Sequence, residues 1–450
     1  MSSLHLRIAV ITLGIAAFGL VPATNVAART LTAQQARSLA LEFNRTYLAA
    51  QEDVRSARAD VTKAKSGALP SITATGSYNH TFRIPSFFVS SDDGEGNIET
   101  MEFKTGFKNS FGLNLAVSQS IWQGGKVFTA YSLAKDYARF ADQVSTQVER
   151  YVVYQADSNF YGVALQQAQL DVLQKSYEAA THNLEVVEKQ FSQGTVSEFE
   201  VLRASVEKLN LEPQIIQAKS ALELSQKSLK SLLGLDLNED VEIVEEPVDS
   251  TLGPLPSLDE LVMVALAERP EMIQAKLTTV MRKKAVRIAR GDYYPSLGAV
   301  ASYDWQAQSD RMTLSENRSE SWTAGLQLTI PLFRGGATRG AVTQAVVDHN
   351  KAKLSERQTE DDIRLEVEAA YDALMQAKEA LDIQSTTIAK AEEGLRIADL
   401  RYESGISTLL EVLSARAALT QARQMLAEAT FSFRVAKARL KLATTIDLDI

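Results

Sequence analysis

Hydrophobic positions along this chain follow two rhythms, and each rhythm is used twice. The first has a period of two residues. Ile72, Ala74, Gly76 and Tyr78 alternate with Thr73, Thr75, Ser77 and Asn79, and Phe111, Leu113, Leu115 and Val117 alternate with Gly112, Asn114, Ala116 and Ser118. Leu297, Ala299, Ala301, Tyr303 and Trp305 repeat the pattern after Pro295, and Trp322, Ala324, Leu326, Leu328 and Ile330 repeat it against Thr323, Gly325, Gln327 and Thr329. Strict alternation predicts four strands, each with one apolar face. The second rhythm steps by threes and fours. Val163, Leu170, Leu173, Tyr177, Ala180, Leu184, Val187 and Phe191 form one seam, and Leu374, Ala377, Leu381, Gln384, Ile388, Ala391, Leu395, Ala398 and Tyr402 form another. Such seams mark helices packed as coiled coils. From Lys126 to Phe191 there is no proline and only Gly162, so the first helix would be roughly 100 Å long.

The remaining segments frame these elements. Residues 32–66 predict a helix stopped by Gly67 and Pro70. Residues 85–105, with Pro85, Gly94, Gly96 and five acids, predict an exposed loop, and residues 308–319 a second polar loop. The long helix turns near Gly194 and returns with Phe199, Leu202, Val206, Leu209 and Ile216 on one face, kinked at Pro213. Residues 234–256 predict a linker. Ser257-Leu-Asp-Glu260 has capping-box spacing and opens a helix to about Arg290. The last helix runs from Thr408 to about Ala443.

The two long seams are one pattern displaced. Phe191-Ser-Gln-Gly194 with Glu200-Val-Leu202 returns as Tyr402-Glu-Ser-Gly405 with Glu411-Val-Leu413, and Trp122-Gln-Gly124-Gly125 returns as Phe333-Arg-Gly335-Gly336. Both displacements are 211 positions. A shared offset in unrelated motifs predicts an internal duplication, with a first repeat over residues 29–233 and a second over 257–450.

Composition narrows the setting. The net charge of −9 lacks the basic footprint that nucleic acid requires. The chain has no cysteine, which excludes thiol catalysis, cysteine-held zinc, disulfides and a lipid on an N-terminal cysteine. Arg7, the apolar run Ile8 to Val21 and the small residues Val26-Ala-Ala28 predict a signal peptide over residues 1–28. No later apolar run is long enough for a helical span, so any crossing must use strands. Four strands cannot close a membrane barrel alone. Closure then needs several copies, with Tyr78, Trp122, Tyr303, Trp305 and Trp322 placed for an aromatic girdle. A soluble sandwich with one wet face fits the alternation equally well. No phosphate loop, nucleophile elbow or paired-histidine motif occurs. The acidic run Asp92-Asp-Gly-Glu-Gly96 lacks calcium-loop spacing. No cofactor and no enzymatic activity are expected.

Pro295-Ser-Leu, Ile330-Pro-Leu-Phe-Arg-Gly-Gly336 and Tyr402-Glu-Ser-Gly405 with Leu410-Glu-Val-Leu413 resemble the outer membrane efflux protein family, the TolC-like exit ducts. The resemblance covers nearly the whole mature chain. It implies an α+β membrane protein: a homotrimer whose twelve-stranded barrel, four strands per chain, sits in outer-membrane lipid. Below it a coiled-coil helical barrel crosses the periplasm. It further implies a passive duct of a tripartite efflux or type I secretion system. Its partners would be a periplasmic adaptor, also called a membrane fusion protein, and an inner-membrane pump of RND or ABC type. The competing reading is a periplasmic coiled-coil adaptor or scaffold, which would carry one helical hairpin rather than two.

The resemblance also assigns residues. The turns between long helices form the periplasmic aperture, where Glu200 and Glu411 hold the repeated acidic position. A ring of carboxylates favours cations, while an acid near a helix start also simply suits the helix dipole. Tyr402 matches a tyrosine that holds the closed state by bonding toward the neighbouring turn, though it also continues the packing seam. Ser407 stands where the pattern has arginine, and Ser414 where it has a second aspartate, which implies a weaker lock and a single acidic ring. Gly194 and Gly405 are expected to shape the turns. Gly124, Gly125, Gly335 and Gly336 are expected to carry the swing from strand to helix.

Overall fold

A computed structural model of the chain describes residues 29–92, 98–245, 247 and 255–446. The expected signal peptide and residues 93–97 of the acidic run lie outside the described residues.

The chain opens with a short strand, β1 (Arg29–Leu31), followed by α1 (Ala33–Phe43) and α2 (Arg45–Ser66). The single helix expected over residues 32–66 is therefore two. Asn44 breaks it with extended backbone, and its Oδ1 accepts from Thr46 N and Tyr47 N, which caps α2 while Asn44 Nδ2 donates to Leu232 O. Strand β2 (Ser71–His80) leads to β3 (Ser86–Asp92) and β4 (Ile98–Lys104). These two form an antiparallel hairpin where a loop was expected. Phe87 stacks on Phe103 across the pair, a cross-strand aromatic contact that stabilises hairpins. Strand β5 (Asn109–Gln123) returns to the helical body.

The first long hairpin is α3 (Lys126–Ser192) and α4 (Glu198–Leu233). Helix α4 continues through Pro213. The linker holds a three-residue strand, β6 (Val241–Ile243), which pairs in parallel with β1. The second half then runs α5 (Leu258–Glu268), α6 (Pro270–Gly291), β7 (Ser296–Ser309), β8 (Arg318–Thr329), α7 (Ala337–Glu403) and α8 (Leu409–Thr444). The helix expected from Ser257 to Arg290 is also two, broken at Arg269 because Pro270 suits only a first helical position.

Helix lengths match between halves. Helices α3 and α7 each have 67 residues, and α4 and α8 each have 36, at the shared offset of 211. Helices α1 and α5 have 11 residues and α2 and α6 have 22, at an offset of 225.

Strands β2, β5, β7 and β8 form one antiparallel sheet in that order. Directly opposed residues share a face, so the register sorts the sheet into two surfaces. Ile72–Val117–Ala301–Ala324 and Ala74–Leu115–Tyr303–Trp322 are apolar rows. Thr73–Ala116–Ser302–Thr323 and Thr75–Asn114–Asp304–Ser321 are their polar neighbours. A bulge inserts Ile121 between Ser120 and Trp122, which returns Trp122 to the apolar face opposite Leu297. Tyr303 and Trp322 meet with ring centroids 4.6 Å apart in mid-strand rather than at a strand end. The apolar face is bare in the single chain: Trp322 is 79% exposed and Leu326 72%.

The helices carry the buried core. Near the linker Leu31, Leu39, Val152, Phe160, Leu229 and Leu233 pack together, and in the second half Leu261, Ile363, Val367, Leu374, Phe433 and Leu440 do the same. Each such side chain contributes about 1.5–3 kcal/mol on burial. Beneath the sheet α3 lies between α2 and α6, with α7 beyond α6. Further down α3 lies between α4 and α8, with α7 beyond α8. Polar contacts fasten the halves along α3 and α6. Lys284 Nζ reaches Asp136 and donates to Ser132 Oγ at 2.7 Å, and Gln274 Nε2 donates to Gln147 Oε1 at 2.9 Å. No helix among the described residues is long and apolar enough to cross a membrane.

Candidate functional site

Both long helices end in the same way. Gly194 and Gly405 each have φ 72°, a left-handed conformation that glycine adopts at little cost after a helix. Gly194 N donates to Phe191 O at 2.9 Å and Thr195 N to Gln190 O at 3.0 Å; Gly405 N donates to Tyr402 O and Ile406 N to Arg401 O, both at 2.9 Å. The return helices start at Ser197 and Thr408, with Glu200 and Glu411 in their first turns, where acids oppose the helix dipole favourably.

The structure brings the two turns together. Val187, Ala204 and Leu409 are buried between them, with Leu184, Val196, Val201, Tyr402 and Leu413 packed against this cluster. Tyr402 turns into the junction, and its hydroxyl donates to Gln190 Oε1 of the other hairpin at 3.4 Å. Burial and then the Glu200 charge push the Tyr402 hydroxyl above its ordinary pKa. The counterpart of Tyr402, Phe191, remains 46% exposed.

The two acids have different surroundings. Glu200 Oε2 is buried with no hydrogen-bond partner. Glu411 lies at the surface with Arg401 Nη1 at 3.5 Å from its Oε2. An exposed pair of this kind is worth at most about 1 kcal/mol. Ser407 Oγ is buried and unpartnered. The tyrosine therefore reaches toward the neighbouring turn, but through a neutral glutamine.

Sequence reading missed three contributors. Gln190 and Arg401 occupy equivalent positions in the two hairpins; Gln190 accepts from Tyr402 of the other hairpin, whereas Arg401 pairs with Glu411 across its own turn. Glu207, one heptad below Glu200, is the third: burial raises its carboxyl pKa against the opposing charges of Arg416 and Arg203. The heptad spacing from Glu200 is the signal that could have found it.

The junction glycines have a clear geometry. Gly124 and Gly125 have φ 60° and 76°, and Gly335 and Gly336 have φ 57° and 86°. A Cβ on Gly124 would meet Gly291 O at 2.5 Å, whereas one on Gly335 would meet nothing within 4 Å. Among the described residues no grouping of His, Cys, Asp or Glu could hold a metal.

An open four-stranded sheet joined to two long hairpins is a known arrangement. The chain superposes on the crystal structure of the CmeC outer membrane channel of Campylobacter jejuni with a TM-score of 0.76 and 19% identity, over 92% of this chain and 85% of that one. The fold is that of the TolC-like outer-membrane channels. The chain belongs to the outer membrane efflux protein family, whose model matches residues 36–235 and 261–445. It is similar to the alkaline protease secretion protein AprF of Pseudomonas aeruginosa, 22% identical over 70% of this chain and 66% of AprF. It is also similar to the solvent efflux pump outer membrane protein SrpC of Pseudomonas putida, 23% identical over 86% of this chain and 79% of SrpC. Efflux and secretion relatives alike make it an outer-membrane exit duct that extends into the periplasm.

Proposed function

We propose that three copies of this chain close a twelve-stranded barrel in the outer membrane and a helical barrel beneath it. This duct passes drugs or secreted substrates outward without catalysis, and docks through a periplasmic adaptor onto an inner-membrane pump of RND or ABC type. The carrying observation is the open sheet. Strands β2 and β8 each leave one edge unpaired, and the exposed face beside them is apolar. Lipid tolerates neither free edge, so neighbouring copies must pair β8 with β2.

The helical offsets support the same closure. If the halves arose by duplication, contacts inside one chain have counterparts between chains. The α3–α8 contact maps, at 211 positions, onto α7 and α4. These are the two outer edges of one chain's helical layer. Helix α4 accordingly shows an unpartnered apolar stripe of Phe199, Leu202, Val206, Leu209 and Ile216, at coiled-coil spacing. Likewise Asp136–Lys284 maps onto Val347 and Ala59, which are both exposed in the single chain.

In the ring each turn acid occurs three times around the axis. Glu200 and Glu411 then favour cations at the periplasmic aperture, and Tyr402 steadies the two turns against each other.

The absence of cysteine gives a clean background for the test. Ala59→Cys with Val347→Cys should oxidise to covalent dimers and trimers and nothing larger. The purified protein should also form cation-preferring channels in planar bilayers, with weaker preference in Glu200→Ala/Glu411→Ala. A soluble monomer without conductance would overturn the duct.

A further inference from the structure

The polar face of the sheet carries one ionisable side chain. By register, that face consists of Ser71, Thr73, Thr75, Ser77 and Asn79 on β2, with Ser, Gly, Asn, Ala, Val, Thr and Gln positions on β5, β7 and β8. The exception is Asp304. It is also pinned: Asn114 Nδ2 donates to Asp304 Oδ1 at 2.5 Å, and Ser302 Oγ donates to Oδ2 at 2.9 Å. Both partners are neutral, so the negative charge is held in place and not cancelled. The other strand charges, Arg318 and Glu320, lie on the opposite face, across from Ala307 and Trp305.

We infer that Asp304 sets the charge preference of the barrel lumen, as a selectivity level separate from the aperture acids at the far end of the helices. This rests on the three-copy barrel proposed above. The polar face then lines the water-filled interior, and three Asp304 carboxylates stand at one height in a wall otherwise neutral. A twelve-stranded barrel places such side chains roughly 8 Å from the axis. Three unit charges at that distance, screened over about 10 Å in 0.1 M salt, enrich a monovalent cation on the axis roughly three-fold and a trivalent one roughly thirty-fold. The level therefore favours cationic solutes and disfavours anionic ones where the duct meets the exterior.

The test uses the full-length protein inserted in one orientation in planar bilayers, with hexaamminecobalt(III) added from the barrel side. Wild type should show block that Asp304→Asn shifts to a half-blocking concentration about ten-fold higher or more, by loss of that enrichment. Asp304→Glu should restore it, which a merely structural role would not predict. Glu200→Ala/Glu411→Ala should leave barrel-side block in place. If the cysteine-linked trimer forms and conducts while Asp304→Asn blocks like wild type, the selectivity role falls and the duct stands. If no trimer forms, both fall together.

Discussion

The two halves of this chain are built on helices of equal length and differ in what their side chains do with them. At the joint between the short helices, Asn44 and Arg269 have nearly the same extended conformation, φ −66° and −65°. Asn44 caps a helix with its own amide. Arg269 instead sits buried and donates to Glu271, to Glu366 at 2.6 Å and to Ala443 O. At the turns, one hairpin offers an exposed Phe191 and an unpartnered Glu200, and the other an inward Tyr402 and an Arg401–Glu411 pair. Glycines and helix lengths hold the common shape, while at these joints and turns the side chains differ with the neighbours they face.

The joints give the largest expected difference. Arg269→Ala should cost about 3–4 kcal/mol, because it removes a buried guanidinium and its charge-assisted hydrogen bonds to the part-exposed Glu271 and Glu366. Asn44→Ala should cost about 1–2 kcal/mol, the value of a lost cap. Denaturant midpoints in detergent compare the two directly, and equal losses would refute the contrast. Acid titration sharpens it. Burial alone would raise the Glu271 carboxyl, but the hydrogen bond and charge of Arg269 outweigh it and hold the group below its ordinary value. A depressed carboxyl stabilises the fold above its unfolded-state pKa, and that share is lost as pH falls through the folded value. The midpoint of wild type should therefore drop on acidification more steeply than that of Arg269→Met.

The junction glycines come next. Gly124→Ala combines a strained φ with a clash against Gly291 O, and should cost about 2–4 kcal/mol. In a dissociated single chain Gly335→Ala should cost only the backbone strain, about 1–2 kcal/mol. In the closed ring its cost should approach that of Gly124, since the equivalent neighbour then comes from the next copy. Equal tolerance before and after assembly would break the proposed equivalence. At the turns, Gly194→Ala and Gly405→Ala should cost the same, about 1–2 kcal/mol each. The smallest effect is expected for Tyr402→Phe, about 0.5–1 kcal/mol for one long hydrogen bond, with Phe191→Tyr neutral. A larger loss for Phe191→Tyr would show that both turns depend on their aromatic residue.

Much of this architecture was legible in the residues because it repeats simple periods. Alternation located β2, β5, β7 and β8, and the heptad seams with Gly124, Gly194, Gly335 and Gly405 bounded α3 and α7 within a few residues. What escaped were features that depend on distant partners or on competing local signals. Glycines and acids in residues 85–105 masked Phe87, Val89, Met101 and Phe103, which line one side of the β3–β4 hairpin. The β1–β6 pair joins segments more than two hundred positions apart. Asn44 interrupts a helical pattern without glycine or proline. At the turns Glu200 and Glu411 hold the same place in the repeat. Their different surroundings come from Gln190 and Arg401, and from which residues the other hairpin presents.

The two offsets carry one more implication. Before the strands the halves are displaced by 225 positions and after them by 211, so the first half is longer between its helices, where it holds the β3–β4 hairpin. In the proposed ring, the turn end shows six hairpins of one backbone shape, close to sixfold order. The outer mouth alternates three long hairpins with three short loops, and is only threefold. A body gripping the duct from the periplasm thus has six similar footholds, whereas anything approaching from outside meets a mouth with half that symmetry.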